Sequence, residues 1–419
     1  MRKCLSLLLL LLTAMSSLAS ENNPDSTSKR KKLVIDGLKL SGVVQVQWQC
    51  GEIKGGDAFA QRGKFDADSK NRMDIRRARF KMLYNYDFLT AAFQINASTT
   101  SVSLIEANVA LATRSKVAAL TTGVFYKPYG FLMQRSASIR MQPELPRITQ
   151  TILPSDIGLG AYATFKGKEG TLLNKFKLDA GILTEDEFMN GSKWLRNFIG
   201  RLEFSHNINE NTTLGAEFSA YFGGVRGTGD YRFNKDLTVY EIYTYPTDEM
   251  KTFNRNYYDL GLKLETKTAW GDTKIFGEYM MGSQPGYAET SQTQKGQGAI
   301  FNRKYLGGYI YFQQEIANTN LSFVTQFDYY DPNRETNARK IEESSFAHQD
   351  LVNTKYAKAN GADMAYTTLG LGLYYKFCKN ILAVSAYYDI VWNEKCDVIP
   401  EFKSNIKDNV FTLRLQCAF

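Results

Sequence analysis

Polar and apolar residues alternate along most of this chain, in runs of about ten residues. The closing stretch NVFTLRLQCAF places Phe411, Leu413 and Leu415 on one face and Thr412 and Arg414 on the other. Alternation with a period of two predicts a β-strand that has one apolar and one polar face. An early stretch, LKLSGVVQVQWQC, repeats the pattern.

Similar segments recur to the end of the chain. They are LKLSGVVQVQWQC, RRARFKMLYNY, LTAAFQINAS, LIEANVALA, LTTGVFYK, IGLGAYATF, FKLDAGIL, FIGRLEFS, TLGAEFSAYF, YYDLGLKLE, TKIFGEYMM, YLGGYIYFQQ, LSFVTQFDYY, TTLGLGLYYKF, LAVSAYYDIVW and NVFTLRLQCAF. Their number, about sixteen, is even, as in single-chain barrels of bacterial outer membranes.

The connections between these segments alternate in length. Tight turns are predicted at Asp87, Arg114 to Lys116, His206 to Asn211, Ala317 to Thr319 and Cys378 to Asn380. Long loops are predicted at Gly51 to Asn71, Pro128 to Ser155, Gly224 to Arg255, Ser283 to Asn302, Asp331 to Asp363 and Asn393 to Lys407. Short periplasmic turns and long extracellular loops are typical of a closed antiparallel transmembrane β-barrel, an all-β fold.

A large soluble β-sandwich or a propeller would also show a period of two. Three features count against both. Loop lengths alternate, the apolar faces end repeatedly in Tyr, Trp or Phe as in an aromatic girdle, and no blade-length repeat is present.

Composition agrees with the strand pattern. The 419 residues are 13% aromatic and contain 32 Gly but only 9 Pro, which suits strands and their bends. Residues 1–20 have a basic start, an apolar core and small residues at the end, which predicts a signal peptide cleaved after Ala19 or Ser20. An uncleaved signal anchor is the alternative. Residues 21–35 are predicted to be a flexible periplasmic tail, and residues 36–419 a single barrel domain.

Charge and reactive residues exclude several classes of function. A net charge of +8 over this length is too small for nucleic-acid binding. The two histidines, His206 and His348, fall in a predicted turn and a predicted loop, so no catalytic triad and no enzyme is expected. The cysteines lack CxxC spacing, and no metal site or cofactor is expected. Disulfides between Cys50 and Cys396, or between Cys378 and Cys417, are conceivable near barrel closure.

Two regions carry candidate functional cations. In DIRRARFKMLY, Arg77, Arg79 and Lys81 share the polar face of a strand and are predicted to point into the lumen. They either solvate the inner wall, alone or in ion pairs with acids on neighbouring strands, or guide anions.

The loop Pro128 to Ser155, which is the third connection at the long-loop end of the predicted barrel and is called the third long loop, is unusually apolar for exposed chain and carries Arg135, Arg140 and Arg147. Folding into the barrel would explain both properties and would narrow the channel. Packing on the rim or against a neighbouring subunit is the alternative.

Several motifs together resemble the phosphate-selective porin O/P family. They are the signal peptide, DIRRARF, GVFYKPYG leading into the third long loop, LPSDIGLGAY leading out of it, and the terminal Phe419. The resemblance implies a sixteen-stranded homotrimeric porin of a Gram-negative outer membrane, with the third long loop folded inward. It also implies that Arg77 and Arg79 are lumen cations, that Arg135, Arg140 and Arg147 lie at the constriction, and that Phe419 is the signal for assembly into the outer membrane.

The predicted inward faces carry charges of both signs. The cations are Lys39, Arg77, Arg79, Lys81, Lys127, Arg201, Lys263, Lys274, Lys376 and Arg414, and the acids are Glu106, Glu203, Glu217, Asp259, Glu265, Glu278, Asp328 and Asp389. Because carboxylates repel phosphate and compete for guanidinium groups, this near balance suits a weakly selective water-filled pore.

The sequence therefore predicts a porin for passive diffusion of small polar or anionic solutes, phosphate being one candidate. The alternative is an outer-membrane receptor or adhesin that binds a ligand through its long loops. The expected partners are outer-membrane lipid, small hydrophilic solutes and two further copies of the chain.

Overall fold

The computed structural model describes residues 36–57, 63–98, 101–133, 140–152, 157–184, 197–244, 251–291, 299–349, 355–377 and 381–419. The strands are β1 Leu38–Gly51, β2 Asn71–Tyr86, β3 Leu89–Ala97, β4 Val102–Ala112, β5 Ala118–Tyr126, β6 Ile157–Lys166, β7 Phe176–Thr184, β8 Asn197–Asn209, β9 Thr212–Gly227, β10 Gly229–Asn234, β11 Val239–Thr244, β12 Lys251–Thr268, β13 Gly271–Gly286, β14 Ala299–Glu315, β15 Leu321–Asp331, β16 Tyr356–Lys358, β17 Tyr366–Phe377, β18 Leu382–Asn393 and β19 Val410–Ala418. Two short α-helices are described, α1 Arg147–Ile152 and α2 Ala338–Glu343.

Sixteen of these strands form one closed antiparallel barrel. Each pairs with the next, from β1 to β9, then β12 to β15, then β17 to β19. The barrel closes where β19 pairs with β1, with Val44 opposite Cys417 and Gly51 opposite Val410. All sixteen predicted segments fall on these barrel strands, so the predicted fold class is confirmed.

Closure leaves a specific contact at the end of β19. The backbones of Gly42 and Phe419 exchange two hydrogen bonds, of 2.8 and 3.0 Å. The Phe419 ring lies over Gly42, where a Cβ atom would approach its Cζ atom to 2.3 Å. Glycine at position 42 is therefore what lets the aromatic ring cover the joint between the first and last strands.

The alternation places polar side chains inside and apolar side chains outside. On β1 the side chains of Gln45, Gln47 and Gln49 are buried, whereas Trp48 and Leu40 are exposed on the outer face. On β19 Thr412, Arg414 and Gln416 are buried, and Leu413, Leu415 and Phe419 are exposed. In water such an apolar outer surface would be unfavourable, but it matches the hydrocarbon of a bilayer.

Three short strands lie in segments for which the sequence predicts only loops. β10 and β11 form a hairpin within Gly224 to Arg255, and β16 lies within Asp331 to Asp363. β10 also pairs in parallel with the start of β14, and β11 pairs with β16. The outer loops are thus partly ordered by backbone hydrogen bonds, which their polar composition did not indicate.

The outer loops also share a small apolar cluster. Ala338, Ile341 and Met364 pack there with Ile399 and Phe402. Cys396 lies in the same cluster. Cys50, Cys396 and Cys417 form no disulfide, so the conceivable Cys50 to Cys396 bridge is absent, and Cys378 lies outside the described residues. Among the described residues no helix is long and apolar enough to cross a membrane.

Candidate functional site

The loop between β5 and β6 spans residues 127–156, and its described parts are buried against the inner faces of the barrel strands. We call it the inner loop; the structure describes its residues 127–133 and 140–152. Tyr129, Leu132 and Ile148 are almost fully buried. They belong to an apolar cluster that also contains the inward tyrosines Tyr257 and Tyr305 of β12 and β14. This packing accounts for the unusual apolar content of the loop.

Glu144 of the inner loop binds three arginines of the barrel wall. Its oxygens lie 2.6 and 2.7 Å from Arg76, 2.8 Å from Arg414 and 3.5 Å from Arg77. Burial alone would raise the pKa of Glu144, but the charges of Arg76 and Arg77 outweigh burial and hold it well below its usual range. Arg414 also donates to the carbonyl of Pro143. These contacts fasten the loop to β2 and β19.

Arg76 reaches Glu144 because β2 contains a bulge. Gln45 of β1 is opposite Arg77, but its neighbour Val46 is opposite Ile75, so Arg76 has no partner residue on β1. Strict alternation would point Arg76 away from Arg77, toward lipid. The extra residue changes the direction of the strand, and both arginines face the inner loop.

A second contact holds the start of the inner loop to the opposite wall. The Gly130 amide donates to Ser219 Oγ at 3.0 Å, and the Phe131 amide donates to the carboxylate of Glu278. Gly130 has a φ of 59°, and a Cβ there would lie 2.8 Å from Asp259 Oδ2. Both the backbone angle and the close approach therefore require glycine. Arg201 donates to the Gly130 carbonyl at 3.0 Å.

A third contact involves helix α1. Arg147 lies 3.4 Å from Asp408 and stacks on the Tyr366 ring at 3.8 Å. Gln284 of β13 donates to the carbonyl of Thr151 at 3.0 Å. The inner loop is thus attached at three places around the barrel interior, so it crosses the lumen.

Most of the predicted lumen cations are paired with acids. Lys81 pairs with Glu106, Lys263 with Glu203 at 2.9 Å, and Lys376 with Glu315 at 3.0 Å. Arg201 pairs with Asp179 at 3.0 Å and lies 3.7 Å from Glu203. Lys81, Lys263 and Lys376 each reach an acid across one intervening strand, whereas Arg201 reaches an adjacent strand. Ion pairing, one of the roles considered for Lys81, reduces the net charge available to a passing anion.

Arg79 differs from the other predicted cations of β2. Its guanidinium donates to the hydroxyl of Tyr126 at 3.1 Å and to Asn96 Oδ1 at 3.4 Å, both neutral partners. No carboxylate of the described residues forms a salt bridge with it. Arg79 lines a cavity of about 520 Å³ together with Lys81, Glu106 and Gln94. A guanidinium with neutral partners beside open space retains its full charge toward a solute.

The remaining predicted site residues differ in burial and in their place in the barrel. Lys127 is fully buried, and Arg140 is partly buried. Arg135 lies outside the described residues. Phe419 lies on the outer face at the closure of the barrel.

Three inward acids, Glu217, Asp259 and Glu278, form a buried cluster beside Gly130. Each offers a carboxylate oxygen within 4.8 Å of the others. The cluster follows from strand register, because Gly261 of β12 is opposite both Glu217 of β9 and Glu278 of β13. Asp259 lies two residues before Gly261, on the same face. The sequence predicted each acid to face inward, but it could not show their proximity without the register.

Comparisons with known proteins support the fold at low sequence identity. No protein-family model matches the chain, and no curated protein matches it. OprB of Pseudomonas putida, in its high-pH structure, has a TM-score of 0.58 with 10% identity over 91% of this chain and 94% of that chain.

Two further porin structures give similar values. An anion-selective porin from Comamonas acidovorans has a TM-score of 0.52 with 11% identity, over 91% of this chain and 99% of that one. The outer membrane channel DcaP of Acinetobacter baumannii has a TM-score of 0.51 with 11% identity, over 91% of this chain and 97% of that one. The chain therefore has the fold of the outer-membrane porins.

Proposed function

We propose that this protein is a porin of a Gram-negative outer membrane, through which small polar solutes diffuse passively with a weak preference for anions. The observation that carries the proposal is the inner loop, which is held by charged contacts inside a closed barrel. A loop in that position narrows the lumen without blocking it. A wide barrel thereby becomes a channel that limits the size of the solutes that pass.

The outer surface supports the membrane location. Several large apolar side chains on the barrel wall are at least half exposed, for example those of Leu262, Ile310 and Leu373. Charged side chains of the same strands, including Asp259 and Arg303, are buried inside. An apolar exterior around a charged interior is stable when lipid surrounds the barrel and water fills the lumen.

The pairing of the lumen cations supports weak selectivity over a dedicated phosphate filter. A filter would concentrate positive charge, whereas Lys81, Lys263 and Lys376 each have a carboxylate partner. Arg79, with neutral partners beside the cavity, supplies the anion preference. Assembly as a homotrimer is part of the proposal and rests on the resemblance to the porin O/P family.

The proposal includes no catalytic step. The partly exposed His206 lies near the end of β8 and the exposed His348 lies in an outer loop, so the two histidines are on separate elements. The rival proposal is a receptor or adhesin barrel whose outer loops bind a ligand, and a receptor with an occluded lumen would conduct no ions.

Conductance in a planar lipid bilayer tests the proposal. Purified protein in concentrated potassium chloride should produce stepwise increases in conductance, and the reversal potential under a salt gradient should indicate a weak anion preference. Protein that inserts but produces no steps would favour the receptor, and a clear cation preference would remove the anion assignment. Phosphate and neutral sugars, added as competing solutes, distinguish a general pore from a phosphate channel.

A further inference from the structure

Glu217, Asp259 and Glu278 form a deeply buried acidic cluster with few hydrogen-bond donors. Three ionised carboxylates in such a place need a positive charge beside them. Their exposed fractions are 2%, 1% and 4%. Neither carboxylate oxygen of Asp259 accepts a hydrogen bond from the described residues, and neither does Glu217 Oε1. A buried carboxylate without a partner is strongly unfavourable. Asp259 in particular is directed at the other two acids, and no donor in the described part of the chain reaches it.

The cations nearby do not compensate the cluster. Arg201 is the nearest guanidinium, but it already pairs with Asp179 and lies close to Glu203. Lys177 pairs with Asp179, and Lys263 pairs with Glu203. Among the described residues, the connected group therefore contains five carboxylates, Asp179, Glu203, Glu217, Asp259 and Glu278, and three cations, Lys177, Arg201 and Lys263. The deficit of two positive charges equals the charge of one divalent cation.

Two glycines allow the backbone to approach the carboxylates closely. A Cβ at Gly261, in the row between Glu217 and Glu278, would lie 2.8 Å from Glu217 Oε1. A Cβ at Gly130 would lie 2.8 Å from Asp259 Oδ2 and 2.9 Å from Glu278 Oε1. Any other residue at either position would place carbon against the carboxylate oxygens.

We propose that Glu217, Asp259 and Glu278 bind a calcium ion that secures the inner loop to the barrel wall. The ligands are all oxygens, which hard divalent cations prefer. Calcium–oxygen distances of about 2.3–2.6 Å allow ligand oxygens to be separated by up to about 5 Å, in agreement with the 4.8 Å limit here. Magnesium requires near-ideal octahedral geometry and usually keeps several of its waters, so a buried cage of protein carboxylates suits it less well than calcium.

The position of the ion connects it to the constriction. The Phe131 amide donates to Glu278, and the Gly130 amide donates to Ser219, whose hydroxyl donates to Glu217. A calcium ion that neutralises these acids holds them together. Each carboxylate can bind the ion through one oxygen and keep its other oxygen available for the hydrogen bonds that hold the loop. Without the ion, repulsion between the carboxylates separates the acids, and the loop loses its contact with β9 and β13.

This inference goes beyond the proposed function, because binding can be measured on a barrel that conducts nothing. The protein is folded in detergent, freed of metal with a chelator, and titrated with calcium chloride by isothermal titration calorimetry. Thermal unfolding is followed by circular dichroism with and without calcium. We expect one calcium ion per chain, a higher unfolding temperature in calcium, and at least tenfold weaker binding of magnesium.

Two substitutions distinguish the cluster from other buried acids. Asp259→Asn, at an acid without a partner to lose, should weaken calcium binding at least tenfold and abolish the calcium-dependent thermal shift. Asp328→Asn is the matched control, because Asp328 on β15 is equally buried but lies outside the cluster, and it should leave both measurements unchanged.

Folding of each variant is checked by heat-modifiable mobility on gels, and Glu217→Gln replaces Asp259→Asn if the latter does not fold. No calcium heat in the native protein, or an Asp259→Asn variant that binds like the native protein, would overturn the proposal. In either case the carboxylates are neutralised by protons.

Discussion

Arg414 of the last strand lies 2.8 Å from Glu144 of the inner loop, Nη2 to Oε1, although 270 residues separate them in the chain. Arg76 and Arg77 meet the same carboxylate from β2. Three arginines therefore share one buried carboxylate, and its removal would leave them without this negative charge.

Glu144→Gln is expected to release the inner loop from this wall. Losing one partner of a buried ion pair costs about 3–5 kcal/mol, so the loop should become susceptible to protease and the pore should become more anion-selective. Limited proteolysis and the reversal potential in a bilayer measure the two effects. Glu335→Gln, which removes an exposed pair with Lys304, is the control and should change neither. A protected loop in Glu144→Gln would contradict this role of the acid.

Arg79→Gln is expected to lower the anion preference. Its charge faces the cavity and has only neutral partners, so the substitution removes a full positive charge from the path of the solute. A unit charge at about 4 Å in water is worth about 1 kcal/mol, which limits the change in permeability ratio to about fivefold.

The matched control for Arg79 is the double variant Lys81→Gln with Glu106→Gln, which removes a neighbouring ion pair and leaves the net charge unchanged. Its reversal potential should equal that of the native protein. Equal shifts in Arg79→Gln and in the double variant would show that net charge at this cavity does not determine selectivity.

Asp408 is expected to make stability depend on pH. Burial raises the pKa of Asp408 to about 6, and the charge of Arg147 opposes this only in part. The pKa of Asp408 is therefore higher in the folded state than in the unfolded state, where it is near 3.8, so the protonated carboxyl stabilises the folded protein at low pH. This stabilisation is fully present below about pH 3.8 and is lost as the pH rises through about 6.

Asp408→Asn should therefore raise the unfolding temperature above about pH 7, by an amount worth up to about 3 kcal/mol, and should have no effect near about pH 4. Thermal unfolding in detergent at both pH values measures the difference. Asp66→Asn, at an exposed loop position, is the control. A destabilised Asp408→Asn at neutral pH would mean that the ion pair with Arg147 outweighs burial.

Gly42→Ala is expected to disturb the closure of the barrel. The new Cβ would meet the Phe419 ring at 2.3 Å, and overpacking of this kind costs about 1–3 kcal/mol. In protein refolded in detergent, where no cellular assembly signal is needed, the fraction of heat-resistant barrel on gels should fall, and Phe419→Ala in the same chain should restore it. Gly200→Ala, where the nearest atom is Asp179 O at 3.8 Å, should be tolerated. Failure of Phe419→Ala to rescue Gly42→Ala would exclude the ring contact as the cause.

Alternation predicted the barrel and the inward direction of most charges, because lipid and water impose opposite preferences on the two faces of every strand. It failed at Arg76, where one inserted residue reverses the alternation without a signal in the local sequence. It also could not bring Glu217, Asp259 and Glu278 together, because their proximity depends on the register of three strands. The short strands β10, β11 and β16 were missed because they are stabilised by pairing with distant segments.

The contact between Glu144 and its arginines also has a consequence for the order of assembly. β2 and β19 are brought to either side of β1 only when the last strand has paired with the first. Before that event, Glu144 has the two arginines of β2 but not Arg414, and the Pro143 carbonyl has no guanidinium donor. We therefore expect the inner loop to settle late in folding, after the last strand joins the first, so that a barrel left open also lacks an ordered constriction.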